Sequence, residues 1–264
     1  MITHGTATVM PMTSRQEAVG QGEAEYAALL AMLGALSTED WARPTECPGW
    51  TVREMVAHIN GAAEEAVRKR VQVRHMTLAM SRDRGIPTVD SLSAQQVADR
   101  DGRTPQQLLV ELAELARKAP RARSKAPVLV RSRPMPPSAG ALPGDTMAYL
   151  IDVIYHRDVW MHRIDIARAT GCEMVASGAE PAIVAQVVRD LSRGWSATPF
   201  TLTLTGRVEG SWRIGDGGQD AGEITVDAVA LCRLLSGRSD EVTPAYGGTH
   251  PDVVDRLRST RILF

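Results

Sequence analysis

The sequence has few cysteines and no long apolar run, and each shortage excludes a class of protein. Three cysteines in 264 residues, with no Cys-x-x-Cys spacing, exclude a disulfide framework and favour a reducing compartment. No stretch approaches the roughly 18 uninterrupted apolar residues that a membrane span needs. Residues 1–13 lack the basic and apolar regions of a signal peptide. We therefore expect a cytoplasmic protein that has no membrane partner.

The chain also has almost no net charge and very little lysine. A formal charge of −1 offers no electrostatic basis for binding nucleic acid, so we expect no such partner. Lys69, Lys118 and Lys125 are the only lysines among the 30 basic residues, and the others are arginines. This bias towards arginine is typical of GC-rich genomes. The apolar share of 44% is ample for a core, which indicates a globular protein.

Helix signals dominate the first two thirds of the chain. Capping boxes begin at Ser14 and Thr51, and Thr104-Pro105 is a typical helix start. Together with Asp145, which precedes a fourth apolar pattern, these signals predict helices over 15–36, from 52 towards Met80, from 105, and from 145 to Gly171. Six prolines predict a long loop over 120–144. Residues 14–171 are therefore predicted to form a four-helix bundle domain.

The pattern changes between residues 172 and 180, where we expect a domain boundary. Helices are predicted over 181–195, after Asp227 and over 251–258, and short strands over 201–205, 210–215 and 223–226. Residues 180–264 are therefore predicted to form a small α+β domain. The fold class of the whole chain is α+β, with an N-terminal helical bundle.

Ionisable residues lie on the apolar stripe of the fourth predicted helix. A wheel that starts at Met147 puts Asp158, His162 and Asp165 on this stripe and His156 on the opposite, surface side. Asp158 and His162 are four residues apart, so both can reach one ion, and His58 on the second helix is the best third ligand. An ordinary hydrogen-bonded Asp–His pair is the more common explanation of such spacing.

Three segments resemble the mycothiol-dependent maleylpyruvate isomerase family. They are WARPTECPGWTVREMVAHI (41–59), RDVWMHRIDIARATG (157–171) and LCRLLSGR (231–238). The resemblance implies a DinB-like four-helix bundle, a sterol-carrier-like C-terminal domain and an actinobacterial source.

It also implies a divalent metal, most often zinc, bound by His58, Asp158 and His162. The family has Glu where this chain has Asp158, so Asp165 or a water molecule is the alternative to that ligand.

The resemblance implies two small-molecule partners, mycothiol and an electrophilic substrate. A metal-stabilised thiolate would add to a conjugated double bond, and the thiol would then leave after rotation (isomerisation) or stay attached (S-transfer). Arg238 is the candidate residue for binding a substrate carboxylate. The alternatives are a non-catalytic ligand-binding or regulatory protein and a thiol-independent metal enzyme of secondary metabolism.

Several residues near these motifs have ordinary structural explanations. Trp41 and Trp50 flank a Pro-Gly turn and are expected to wedge it rather than line a pocket. Cys47 is expected to be a packed thiol. The arginines of 117–133 are expected in a solvated loop, with contact to an anionic substrate as the alternative. The family resemblance implies that the C-terminal domain covers the site of the bundle, and binding of an apolar ligand is the alternative.

Overall fold

The computed structural model describes residues 3–82, 88–136, 140–239, 245–247 and 251–264. The chain divides into two units. The helical unit consists of residues 14–139 and 145–178, and the sheet unit of residues 1–13, 140–144 and 179–264.

Caps that are visible in the sequence begin the long helices of the helical unit. Its helices are α1 (Arg15–Gly34), α2 (Val52–Val67), α3 (Lys69–Arg82), α4 (Thr88–Ala98), α5 (Pro105–Ala116), α6 (Lys118–Ser124), α7 (Val128–Arg131), α8 (Met147–Tyr149) and α9 (Tyr155–Thr170). Glu17 bonds the backbone N–H of Ser14 at 2.8 Å, Glu54 that of Thr51 at 2.9 Å, and Gln107 that of Thr104 at 2.9 Å. The three predicted helix starts are confirmed.

The second predicted helix is shorter than expected. It was predicted to continue towards Met80, but α2 ends at Val67 because Arg68 leaves the helical region, with φ −115° and ψ 89°. No glycine or proline marks this break. Its cause is tertiary, since α3 brings the fully buried His75 onto Glu65 of α2.

The predicted loop over 120–144 is wrong in part. Residues up to Ser124 belong to α6, and Val128–Arg131 form α7. Arg123 and Arg131 are buried, so the expectation of solvated arginines fails for both. Arg131 pairs with Asp152, and Arg123 donates to the carbonyl of Ala62 at 3.0 Å, long-range contacts that local composition does not reveal.

A π-helical turn over Leu150–Ile154 joins α8 to α9. It has more residues per turn than an α-helix, so it shifts the phase of every later side chain relative to Met147. The expectation that His156 lies on the surface is wrong, because His156 is 4% exposed. Almost every α9 residue from 156 to 166 is buried, so one apolar stripe does not describe this helix. The fourth predicted helix also starts one residue later than predicted, because Thr146 rather than Asp145 is the N-cap of α8.

Helices α1, α2, α5 and α9 contribute the apolar core of the helical unit. Their buried members include Tyr26, Leu29, Met32, Leu33, Val52, Met55, Val56, Ile59, Leu108, Leu112, Leu115, Val159 and Ile166. No helix in the described ranges is long and apolar enough to cross a membrane.

The sheet unit combines helices with one five-stranded sheet. Its elements are β1 (Thr3–Thr6), α10 (Glu180–Arg193), β2 (Phe200–Thr205), β3 (Gly210–Ile214), β4 (Glu223–Asp227), α11 (Ala228–Leu235), β5 (Ala245–Gly247) and α12 (Pro251–Ser259). The strand order is β1-β3-β2-β4-β5. The three predicted strands are its centre, whereas the edge strands β1 and β5 were not predicted. The fold class, a helical bundle followed by a small α+β unit, is confirmed.

Candidate metal centre

Asp158 and His162 lie one helical turn apart on α9, after the π turn. Because the phase shift precedes both residues, their four-residue spacing still puts them on one side of the helix. Oδ1 of Asp158 lies 3.2 Å from Nε2 of His162. His162 is buried, while the Asp158 side chain is 24% exposed and remains accessible to a ligand.

His58 reaches the same pair from α2. Its Nε2 lies 3.7 Å from Oδ2 of Asp158, beyond a normal hydrogen bond. The His58 and His162 rings are 5.3 Å apart and nearly perpendicular, at 85°. One ligand atom from each of His58, Asp158 and His162 falls within 4.8 Å of the others. The structure thus brings together the three residues that the sequence suggested, and their binding of a metal stays a prediction.

The other nitrogen of His162 faces a second group. Its Nδ1 is 3.1 Å from Oδ2 of Asp165, which is fully buried. The thiol of Cys47 donates to the same oxygen at 3.9 Å. Cys47 also packs against the apolar core, as expected, but its contact with Asp165 was not foreseen. Asp165 thus lies on the far side of His162 from Asp158.

Trp50 covers both imidazoles. Its ring centroid is 5.1 Å from that of His58 and 6.4 Å from that of His162. Trp41 behaves as predicted, because it is a buried member of the core beside the turn. For Trp50 the expectation of a wedge is incomplete, since the ring also forms one wall of the candidate site.

The charges of Asp158 and His162 are strongly coupled. Burial alone would raise the pKa of Asp158, but the neighbouring His162 and His58 lower it well below its usual value. Burial alone would lower the pKa of His162, but Asp158, with help from Asp165 and Cys47, raises it well above its usual value. A cation that binds His162 would have to compete with the protonated ring that these carboxylates favour.

His156 and Arg238 are two further residues that the sequence analysis singled out. Burial, followed by the charges of Arg157 and Arg123, lowers the pKa of His156 to about 3, so this side chain is neutral. Arg238 follows α11 in the sheet unit, is half-buried, and donates its backbone N–H to Arg233 at 2.9 Å. Its role in binding a substrate stays a prediction.

Residues 23–167 match the family described as the mycothiol maleylpyruvate isomerase N-terminal domain. This match spans more than half of the chain and contains all three candidate ligands. The chain belongs to this family.

Two solved structures share the fold of this family member. They are the mycothiol-dependent maleylpyruvate isomerase, with a TM-score of 0.51, and a histidine-to-alanine mutant of the mycothiol-dependent maleylpyruvate isomerase, with a TM-score of 0.52. Each is 15% identical to this chain, and each alignment covers 91% of this chain and 95% of the other. A search of curated protein sequences gives no match.

The residues present fit the divalent metal that the family resemblance implies. Two imidazoles and one carboxylate are a donor set that suits zinc and similar ions and leaves coordination positions open. Asp165 on Nδ1 of His162 is the outer partner that metal-binding histidines usually have. The corresponding atom of His58, Nδ1, is buried and has no hydrogen-bond partner among the described residues.

The sequence did not predict two contacts of the site. One is the contact of Cys47 with Asp165, and the other is the position of Trp50 over the imidazoles. Both belong to the Cys-Pro-Gly-Trp turn, which an isolated bridge between Pro44 and Thr51 closes on itself. The only available signal was that this turn immediately precedes the helix that carries His58.

Proposed function

We propose that this chain is a metal-dependent, mycothiol-using isomerase or S-transferase that acts on a small, conjugated electrophile. The observation that supports this function best is the convergence of His58, Asp158 and His162 in a member of this family. Mycothiol use rests on the family, and the choice of a maleylpyruvate-like substrate rests on its similarity to the solved isomerase.

His58, Asp158 and His162 would hold the divalent ion, with zinc as the first choice. When bound, such an ion lowers the pKa of a coordinated thiol, so that its sulfur is available as the more nucleophilic thiolate. The Asp158 side chain is partly exposed, so incoming molecules would approach the three ligands from its side.

The two candidate carboxylates have different tasks in this proposal. Asp165 accepts a hydrogen bond from Nδ1 of His162, which leaves Nε2 as the nitrogen directed at Asp158 and His58. Asp158 is therefore the ligand, and Asp165 fixes the tautomer and orientation of His162 from behind. The two distances support Asp158 rather than Asp165 as the carboxylate ligand in this proposal.

The two histidines are held by different means. Nδ1 of His58 has no hydrogen-bond partner among the residues that the structure describes, so contact with the Trp50 ring restricts how this imidazole can turn. Trp50 also keeps water away from one side of both rings. A site held rigidly on two helices and screened on one face favours reaction in a fixed orientation.

Arg238 stays our candidate for the electron-withdrawing carboxylate of the substrate, by its match to the third family segment. As a planar, always charged donor, arginine can bind a carboxylate through two hydrogen bonds. This role is testable separately from that of the metal group.

The experiment is to measure metal content and turnover on one preparation. We expect about one divalent ion per chain, and isomerisation or conjugation of a maleyl-type substrate that requires mycothiol. Substitution His162→Ala should remove both properties, while the control Arg121→Gln, an exposed residue of α6, should remove neither. Metal-loaded protein that turns over the same substrate equally well without thiol would contradict the proposal and favour thiol-independent metal chemistry. Metal without any turnover would favour a ligand-binding protein.

A further inference from the structure

Three consecutive apolar side chains face outward on α7. Val128 is 72% exposed, Leu129 is 80% exposed and Val130 is 37% exposed. We call these three residues the apolar tip. Arg131, the charged residue of the same turn, is buried instead, so the usual distribution of apolar and charged residues is reversed here. Single exposed apolar residues are ordinary on a protein surface, whereas a contiguous group marks an interaction surface.

The apolar tip belongs to an ordered segment that is fixed to the helical unit. Arg131 donates from Nη1 to Oδ1 of Asp152 at 3.1 Å and from Nη2 to the other carboxylate oxygen. Two residues further on, the carbonyl of Arg133 accepts a hydrogen bond from the backbone N–H of Met147 at 2.8 Å. A buried ion pair and a backbone contact thus hold this segment, and its outward apolar side chains are a built feature of the fold.

The charged residues around the apolar tip all have the same sign. Residues 115–144 contain no Asp or Glu, although the chain as a whole is nearly neutral. Their basic residues are Arg117, Lys118, Arg121, Arg123, Lys125, Arg131 and Arg133. The two closest to the tip in sequence, Lys125 and Arg133, are exposed and have no ion-pair partner in the part of the chain that the structure describes. This surface is therefore complementary to an anionic partner.

The form of this surface favours a lipid membrane over other anionic partners. Side chains as exposed as Val128 and Leu129 project into the solvent, so they do not line a groove that a peptide could fill. A membrane interface accepts apolar side chains without a matching pocket. The phosphate backbone of a nucleic acid offers no apolar contact, and the same basic surface on a second copy of the chain would repel this one.

We propose that the apolar tip, with Lys125 and Arg133, docks this protein on the surface of a membrane that contains anionic lipids. The apolar side chains enter the boundary between headgroups and acyl chains, and the two cations contact the lipid phosphates. The expectation of no membrane partner came from the lack of a spanning run, which surface docking does not need. Three side chains and two cations give reversible binding, and this inference does not depend on the proposed metal chemistry.

The test is co-sedimentation of the full chain with lipid vesicles. We expect binding to vesicles of equal parts phosphatidylglycerol and phosphatidylcholine, and none to vesicles of phosphatidylcholine alone. Binding should weaken as salt is added, because salt screens exposed charges. Leu129→Ser should weaken binding by about tenfold, since its apolar area no longer enters the interface. The matched control is Val110→Ser, at an exposed valine of α5, which should bind as the wild type does.

A second pair of variants tests the charge. Lys125→Gln should weaken binding to the anionic vesicles by about fivefold, because it removes one cation near the lipid surface. Lys69→Gln, at an exposed lysine of α3, should bind as the wild type does. The substituted side chains of both pairs are exposed, so we expect all four variants to fold, with circular dichroism as the check.

A fluorescence readout locates the contact. In Leu129→Trp, the emission that is added relative to the wild type should move to shorter wavelengths with anionic vesicles, whereas Val110→Trp should show no such shift. Equal vesicle binding by Leu129→Ser and the wild type, or no binding of the wild type to anionic vesicles, overturns the proposal. Binding to poly-glutamate but not to anionic vesicles would also overturn it, and would assign the apolar tip to an acidic protein partner.

Discussion

Two groups of histidine and carboxylate among the described residues of the helical unit differ in how their ring nitrogens are used. We call the first the His75 cluster; it consists of Glu65, His75, Gln95, Gln96 and Asp99. The second is the metal-ligand group of His58, Asp158 and His162. His75 is fully buried and bonds Glu65 through Nδ1 at 2.7 Å and Asp99 through Nε2 at 2.8 Å.

The surroundings of the His75 cluster add hydrogen bonds to both of its carboxylates. Gln96 donates to Glu65 at 2.8 Å, Gln95 donates to Asp99 at 2.8 Å, and Arg74 pairs with Asp99. The carboxylates lie on opposite sides of the ring, so their oxygens do not converge on one point. This arrangement links α2, α3 and α4, and it is not among the converging donor groups found in the described residues.

The metal-ligand group leaves one imidazole nitrogen unbonded, whereas both ring nitrogens of His75 have hydrogen-bond partners. Its closest contacts are 3.2 and 3.7 Å, and Nδ1 of His58 has no partner among the described residues. Its donor atoms converge within 4.8 Å. The comparison teaches that composition and burial do not identify a candidate metal centre. A candidate metal centre is identified by donor atoms that converge on one point and leave room for an ion between them.

The largest effect that separates the two groups is expected from His162→Ala. Removal of one of three protein ligands should weaken zinc affinity by more than about 100-fold, since loss of an outer partner alone costs about 10–100-fold. The free energy of unfolding should change much less than the affinity. Competition with a chelating dye measures the first quantity, and urea unfolding of the metal-free protein measures the second.

The reverse pattern is expected from His75→Phe. This change leaves Glu65 and Asp99 without their shared partner, so we expect unfolding to become easier by about 2–3 kcal/mol, less than the full cost of breaking a buried pair because both carboxylates keep other partners. Zinc affinity should be unchanged. A variant that binds zinc at least tenfold more weakly while remaining folded would show that the two groups are not separate in function.

A smaller effect is expected from Asp165→Asn. The amide can turn its NH₂ towards His162 and so favour the wrong tautomer, which should reduce zinc affinity by about 10–100-fold. The same titration measures this change, with circular dichroism as the control for folding. Unaltered affinity would mean that Asp165 does not orient His162.

The smallest effect is expected from Asp158→Glu. This change restores the carboxylate that the isomerase pattern has, so zinc affinity should stay within about tenfold of the wild type. A loss as large as that of His162→Ala would show that the site is built for the shorter side chain.

Local signals in the sequence predicted much of the fold. Capping boxes at Ser14 and Thr51 and the Thr104-Pro105 pair predict the helix starts, because such signals depend on residues at most three apart. The break at Arg68 and the edge strand β1 involve distant partners, and no glycine or proline marks the π turn after Tyr149. Thr3 of β1, for example, pairs with Ser211. No local pattern specifies such pairings.

The candidate site also has some features that local spacing predicts and others that depend on contacts between distant residues. Asp158 and His162 belong to one unbroken helix, so their spacing alone brought them together. Asp165 was visible on the same helix, but its contact with Nδ1 rather than Nε2 of His162 depends on side-chain rotamers. The sequence predicts a solvated loop at Arg123, because its contacts with Ala62 and Tyr155 come from other helices and leave no local signal.

The most direct test of the account is to load the protein with cobalt in place of zinc and titrate it with mycothiol. If His58, Asp158 and His162 hold an ion that takes up the thiol, a sulfur-to-cobalt charge-transfer absorption should appear in proportion to bound mycothiol. It should be missing in His162→Ala and present in His75→Phe. A wild-type protein that contains the metal and turns over its substrate, but never develops this absorption, would contradict the central claim.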